Sequence, residues 1–414
     1  MAPIAIDVRL EYLLLDFIAR TNTFRFYYCE NSLKQGLEEV ISSICLDFQN
    51  ALESYTGIPL CTRNDAILLN NAGYHLILWV SDEKSAESVR RWLKNELRLK
   101  NPDKIEVDIT RPSNFHLWMI QFLGFPIKVP EADFFYCSLF PGVKLSRNCK
   151  RIIRLHDPFG RYRNAFLCFF EHPAKMKLRI AKAMRTKAFV ANFKDSLLVF
   201  NSNYTYQRCK SIYGDEIQGH VIHNLVQFDG LDSNESIDCS RRYLLIISGS
   251  RQRKKPEIIV NVWAESKLSD LCDLIVVGRV PDNLLSPESR NLLKLGKLEI
   301  LEGVTNATLK SLTENCVASV FFSMGEGWGQ PLAESVFAGK IVICNDLEVF
   351  HEVVEEFGRF FPTKAPEQFP SLAIRTMAEL DGGLIDERRI KEFGKRYGIE
   401  KLTSRWIQVL EIGQ

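Results

Sequence analysis

The sequence predicts an α/β protein built from two Rossmann-like domains in series. Short apolar runs rich in Ile, Val, Leu and Phe alternate with helix-length stretches along the chain, the pattern of parallel sheets with crossover helices rather than of a sandwich or a bundle. The alternation breaks at residues 225–241, "LVQFDGLDSNESIDCSR", where Asp, Ser, Asn and Gly interrupt any sustained period. It then restarts, with five strand-like runs and four crossovers in about 110 residues, the density of a Rossmann-like domain. The chain therefore divides into an N-terminal domain over 1–225, a linker over 226–241, a C-terminal domain over 242–396 and a last helix over 397–414.

Taken in order, "PIAIDV", "YHLILWV", "KIEVDI", "DFFYC", "RIIRL" and "SLLVFN" read as the strands of the first half. Between them "KSAESVRRWLKNELRLK" and "KLRIAKAMRTKAFV" read as helices. In the second half the strands are "YLLIISGS", "CDLIVVG", "KLEILEG", "VASVFFS" and "IVICND". Helices open at Pro256 and Pro331, where proline suits the first turn, and at Thr305 or Asn306. At the C-terminus Leu402, Trp406, Val409 and Leu410 recur at helical spacing, one apolar face that must cover something.

Composition narrows the function. The 414 residues carry 53 basic and 51 acidic side chains, a net charge of +2 that gives no field to recruit nucleic acid. The 11 cysteines include no C-x-x-C pair and read as reduced core thiols of a cytoplasmic protein. Charges at Asp7, Arg9 and Glu11 argue against a signal peptide, and no apolar run approaches a membrane span. The stretch "KMKLRIAKAMRTK" sets Lys175, Arg179 and Lys182 on one side and Met176, Ile180 and Met184 on another, a solvated face or one that rests peripherally on anionic lipid.

The stretch that carries chemistry is "SMGEGWGQPLAES", Ser323 to Ser335, between a strand and a helix start. Ligands of doubly wound sheets sit there, outside the carboxyl ends of strands. A helix from Pro331 offers the amides of Leu332 and Ala333 to an anion, for which phosphate is the natural guest. Glycines 325, 327 and 329 allow close backbone approach. Glu334, in the first turn, is suited to accept the vicinal hydroxyls of a ribose, and Glu326 reaches the other side of the phosphate. A diphosphate flanked by two polyols is a nucleotide sugar. The plainer reading makes Glu334 a dipole-stabilising acid and the glycines a turn.

With Glu326, Gly327, Trp328, Gly329, Pro331, Glu334, Ala338 and Gly339, this stretch resembles the E-G-F-G-x-P-x-x-E-A-x-A-x-G signature of retaining GT-B glycosyltransferases of family four, mannosyltransferase-like members included. The resemblance covers most of the chain. "YLLIISGSRQRKKPEIIVNVWAE" is similar to the family's first C-domain strand, basic loop and helix, implying donor contacts at Gly249, Arg251 and Lys254 and placing Lys255 at the donor diphosphate. "LEGVTNATLKSL" resembles the loop that holds the base, with Gly303 and Val304. "RIIRLHDPFG" resembles the histidine-aspartate loop facing the sugar, which makes His156 and Asp157 site residues. "LLVFNSNYTYQRCKSIYG" resembles the following strand and helix, and "VIHNLVQF" the entry to the linker.

The fold so implied is GT-B: two facing Rossmann-like domains, a deep cleft between them and a C-terminal helix crossing back to the first. The implied activity is transfer of a sugar from a nucleotide donor, GDP-mannose first, to a hydroxyl of a glycan or a lipid-linked acceptor, with no metal and no cofactor. Glu326, His156 and Lys255 are the implied catalytic residues; Glu334, Gly327, Trp328, Gly329, Leu332 and Ala333 hold the donor.

The chain also departs from the family pattern. Ser250 stands where an arginine is usual, so Arg251, Arg253 or Lys254 must supply that charge; Gly36 is all that marks an N-terminal glycine loop; His223 and Leu225 flank Asn224 in place of proline and glycine. His220 and His223 would point to opposite faces of a strand and so make a poor metal pair. A non-catalytic GT-B subunit and a GT-B epimerase or phosphorylase are the rival functions.

Overall fold

A computed structural model describes residues 42–52, 57–114, 116–117, 120, 125–138, 144–146, 149–157, 193–227, 241–248, 253–383 and 387–413. The expected strand "PIAIDV", Gly36, the basic stretch 175–187, Gly249, Ser250 and Arg251 lie outside these residues, as does most of the linker.

The first sheet comprises β1 (Ser43–Asp47), β2 (His75–Trp79), β3 (Ile105–Asp108), β4 (Phe134–Cys137), β5 (Lys150–Leu155), β6 (Ser196–Phe200) and β7 (His220–Val221). Every pairing is parallel, and the strand order is β3-β2-β1-β4-β5-β6-β7. The second sheet comprises β8 (Tyr243–Ile247), β9 (Asp273–Val277), β10 (Leu298–Leu301), β11 (Ala318–Phe321), β12 (Val342–Asn345) and β13 (Gly358–Phe361). It is also wholly parallel, in the order β10-β9-β8-β11-β12-β13. In each sheet the order reverses next to its first strand, at β1/β4 and β8/β11, which opens a crevice at the carboxyl ends of those strands.

Burial explains why these segments are strands. The runs "LLII", "LIVV" and "VIC" have both faces covered, so they are continuously apolar rather than alternating. The 14-residue helix Ile58–Asn71 is buried from Leu60 to Asn70 because it has neighbours on two sides. Its Ala66, Leu68 and Leu69 share one apolar cluster with β1, β2 and β4, and with Leu402, Trp406, Val409 and Leu410 of the C-terminal helix Ile399–Gly413.

A buried polar network runs through the same packing. Arg154 on β5 pairs with Asp65 at 3.1 Å, and Tyr136 donates to Asp65 at 2.6 Å. Burial pushes the Asp65 carboxyl up, and Arg154, Tyr136 and Trp406 partly counter it. The Arg154 guanidinium also donates to the carbonyls of Ile222 and Phe200 and to the Asn224 side chain, which pins the chain where it leaves the first sheet. The described cysteines are thiols, all buried except the half-buried Cys149. No helix among the described residues is long and apolar enough to cross a membrane.

Candidate active site

The site is built around the loop that follows β11. Ser323 N–H donates to the Asn345 side chain and Asn345 returns a bond to the Ser323 carbonyl, both at 2.9 Å, so the ends of β11 and β12 are tied together. Ser323 Oγ then donates to the Gly325 carbonyl at 3.1 Å and to Glu326 Oε1 at 3.3 Å. Glu326 is 9% exposed, and its second oxygen accepts from Arg253 Nη2 at 2.7 Å. The same guanidinium donates through Nη1 to Asp157 Oδ1 at 3.2 Å. One arginine thus joins a carboxylate of the second sheet to a carboxylate at the end of β5 in the first.

Backbone contact reinforces that bridge. A β-carbon on Gly327 would fall 1.8 Å from the His156 carbonyl oxygen and 2.9 Å from Asp157 Oδ1, so only glycine fits. The Gly327 carbonyl accepts from Ser202 Oγ at 2.6 Å and from Thr205 Oγ1 at 3.0 Å. Asn201 Nδ2 donates to the His156 carbonyl at 2.9 Å, and the His156 side chain is buried. His156, Asp157, Arg253, Glu326 and Gly327 are therefore brought together. Beside them, at the β8/β11 switch point, lies a cavity lined by Ser248, Lys254, Ser323, Glu326, Leu332 and Phe350 among others.

The other expected residues are spread over several elements around this centre. Lys254 lines the cavity, whereas Lys255 is exposed as the N-cap of helix Pro256–Ala264. The helix expected from Pro331 begins at Gln330, with Gly329 as its N-cap in the left-handed region at φ 111°. Glu334 consequently lies beyond the first turn, half-buried, and accepts from Gln330 Nε2 at 3.0 Å. The amides of Leu332 and Ala333, expected to be open to an anion, both donate to the Gly329 carbonyl, at 3.0 and 3.3 Å. An N-cap carbonyl ordinarily accepts the first intrahelical bond.

Trp328 is buried in an aromatic group with His223 and Tyr397, ring centroids 5.0 and 5.5 Å away, rather than lining the cavity. Gly303, at φ 68°, follows β10, two strands away from β8, and Val304 packs against the buried cluster that includes Leu245, Ile275 and Val277. Gly325 meets no neighbour that a side chain would strike.

Sequence reasoning missed Asn201, Ser202 and Thr205. Their only local signal is that Ser202 is a helix N-cap, accepting from the Thr205 amide at 3.0 Å. Gly278 was also missed: a β-carbon there would fall 1.7 Å from the Ser248 carbonyl, so the ends of β8 and β9 close on each other. Among the described residues no group of three or more His, Cys, Asp or Glu is placed to hold a metal ion.

With this geometry in hand, comparison with known proteins is specific. Residues 231–396 match the family described as "Glycosyl transferases group 1". The O-antigen chain mannosyltransferase RfbU of Salmonella typhimurium is 25% identical over 284 residues, covering 66% of this chain and 72% of that protein. The serotype-specific mannosyltransferase WbdA of Escherichia coli is 32% identical over 108 residues, 25% of this chain but only 13% of that much longer relative. Sucrose-phosphate synthase from Thermosynechococcus elongatus superposes with a TM-score of 0.59 over 89% of this chain and 98% of that one, at 12% identity. The fold is GT-B. The matched domain contains β8 to β13 and therefore Arg253, Glu326 and Glu334.

Proposed function

We propose that this chain is a retaining glycosyltransferase that moves a hexose from a nucleotide-sugar donor to a hydroxyl of a glycan or lipid-linked acceptor. The observation that carries this reading is the convergence of Glu326 with the His156–Asp157 loop, through Arg253 and Gly327, beside a cavity at the β8/β11 switch point. Polar groups from both sheets are then available to one sugar, with cationic side chains next to where its phosphates would lie. The names of the two similar mannosyltransferases favour mannose as that sugar and GDP-mannose as the first donor to test.

In this reading Glu334 accepts the ribose hydroxyls, and Glu326 and His156 orient the sugar. Lys254, Lys255 and Arg253 offer charge to the diphosphate. As the bond from the sugar C1 to the diphosphate oxygen breaks, negative charge grows on the leaving group, and fixed cations stabilise it without reorganising. The acceptor oxygen bonds to C1 on the same face, and its proton passes to the leaving phosphate. Fixed cations take the role of a divalent ion, so excess chelator should leave transfer intact.

A panel of nucleotide sugars screened by thermal stabilisation tests the donor, since a ligand at a hundredfold excess over Kd stabilises by about 2.7 kcal/mol. A stabilising donor whose sugar appears on the acceptor with retained anomeric configuration supports the proposal; an inverted product refutes its stereochemistry.

A further inference from the structure

The turn that holds both His156 and Gly327 is itself held, from the second sheet, by one carboxylate. Glu352 lies on the helix Glu348–Val354, which precedes β13. Its Oε1 accepts from the Asn203 amide at 2.8 Å, from Asn203 Nδ2 at 3.1 Å and from His223 Nε2 at 2.9 Å. Its Oε2 accepts from the Tyr204 amide at 3.0 Å. Asn203 and Tyr204 are the first two residues of the 11-residue helix Asn203–Tyr213, whose opening amides have no acceptor within the helix. Ser202 Oγ takes the third amide, that of Thr205. The positive end of a first-sheet helix is thus capped by an anion from the second sheet, where the helix dipole favours one.

We propose that Glu352 is a positioning residue of the transfer site: by capping helix Asn203–Tyr213 and pairing with His223, it latches the second sheet onto the Asn201–Thr205 turn and so keeps the His156 and Glu326 loops in register. Glu352 touches neither loop. It acts through Ser202 and Thr205, whose hydroxyls grip the Gly327 carbonyl, and through Asn201, which grips His156. His223 is anchored in turn, because Arg154 donates to the Ile222 carbonyl on one side of it and to the Asn224 side chain on the other.

The other charged groups around the latch form a separate pair: Arg396 meets Glu355 at 2.6 Å and Tyr397 donates to Glu355 at 3.1 Å. Burial pushes the Glu352 carboxyl up, but the bonds from His223 and the two amides outweigh it and hold the group below its ordinary range. A carboxylate kept ionised is what a helix N-terminus selects.

The proposal rests on the transfer reading above, and two readouts separate the two. Amide hydrogen exchange of full-length Glu352→Ala and the isosteric Glu352→Gln, against the parent, reports the latch without any substrate. Exchange in peptides covering 201–205 and, independently, 323–329 should accelerate about tenfold or more in Glu352→Ala and less in Glu352→Gln, which keeps one acceptor. With a turning-over donor, kcat should fall at least tenfold in Glu352→Ala while donor KM changes less than threefold. Acceleration confined to 201–213, with 323–329 unchanged, would make Glu352 a local cap and overturn the proposal. So would unchanged kcat in a folded Glu352→Ala. If no donor turns over in the parent, the transfer reading fails while the exchange experiment still decides the latch.

Discussion

Gly327 and His156 meet backbone to backbone: a β-carbon on Gly327 would fall 1.8 Å from the His156 carbonyl oxygen. The two residues lie beyond the carboxyl ends of strands in different sheets, so here the halves of the molecule touch through main chain. The neighbour is a main-chain carbonyl tied down by Asn201 and cannot swing aside.

Gly327→Ala should therefore force the His156 and Glu326 loops apart. An overpacked contact of this kind costs typically about 1–3 kcal/mol, read as a lowered Tm. Transfer should fall far more than that stability loss explains, because Arg253 can no longer reach Asp157 and Glu326 together. Gly325→Ala, where the added carbon meets nothing, is the control and should leave Tm unchanged.

Glu326 and Glu334 should separate by ligand. Glu334→Ala removes the proposed ribose acceptor and should weaken binding of the free nucleoside diphosphate by roughly 1.5–3 kcal/mol, as expected when a charged hydrogen-bond acceptor is lost. Glu326→Ala should leave that affinity nearly intact, because the proposed contact of Glu326 is with the sugar alone, and should lower kcat instead. Calorimetric titration of both variants with the diphosphate makes the comparison; equal losses would contradict the division of roles.

Acid should release the Glu352 latch. Its folded-state pKa is depressed below the ordinary 4.5, against the burial that would raise it, by its bonds to His223, Asn203 and Tyr204. The unfolded chain then binds the proton more readily. The stabilisation is fully present above that ordinary value and is lost as pH falls through the folded pKa. Glu352→Gln should thus melt below the parent at neutral pH, with the gap closing on acidification below about 4.5. Glu355, Arg396 and Tyr397 are common to both proteins and largely cancel in the difference. A gap constant from neutral pH to the acid limb would show that the charge of Glu352 contributes nothing.

Much of this was legible in the sequence, and the exceptions have physical causes. Each strand with a strong apolar run, "HLILW" or "LIVV" for example, lies where patterning placed it. The central strand β1, "SICLD", was not expected, because a five-residue run beside polar neighbours gives periodicity little to work on. Neither was β13, "GRFF", where glycine and arginine dilute the pattern. At the site, the residue types were readable but not their partners. Ser202 and Gly327 are 125 positions apart, and nothing local marks Ser202 as more than a helix cap. Arg253 was one of three basic candidates, and only the fold shows that it spans Asp157 and Glu326. Pro331 set the expected helix start one residue late, because proline is equally at home at the second helical position when a left-handed glycine precedes the first.

The central claim is that Glu326, at the β8/β11 switch point, serves cleavage of a nucleotide sugar without a metal ion. Release of nucleoside diphosphate from GDP-mannose and a panel of other nucleotide sugars, with excess chelator present, tests it most directly when the parent and Glu326→Ala are run side by side. The expected result is release by the parent from at least one donor and a loss of about a hundredfold or more in Glu326→Ala, a barrier increase of about 2.7 kcal/mol. Release that requires added magnesium or manganese, or that continues undiminished in Glu326→Ala, would contradict it.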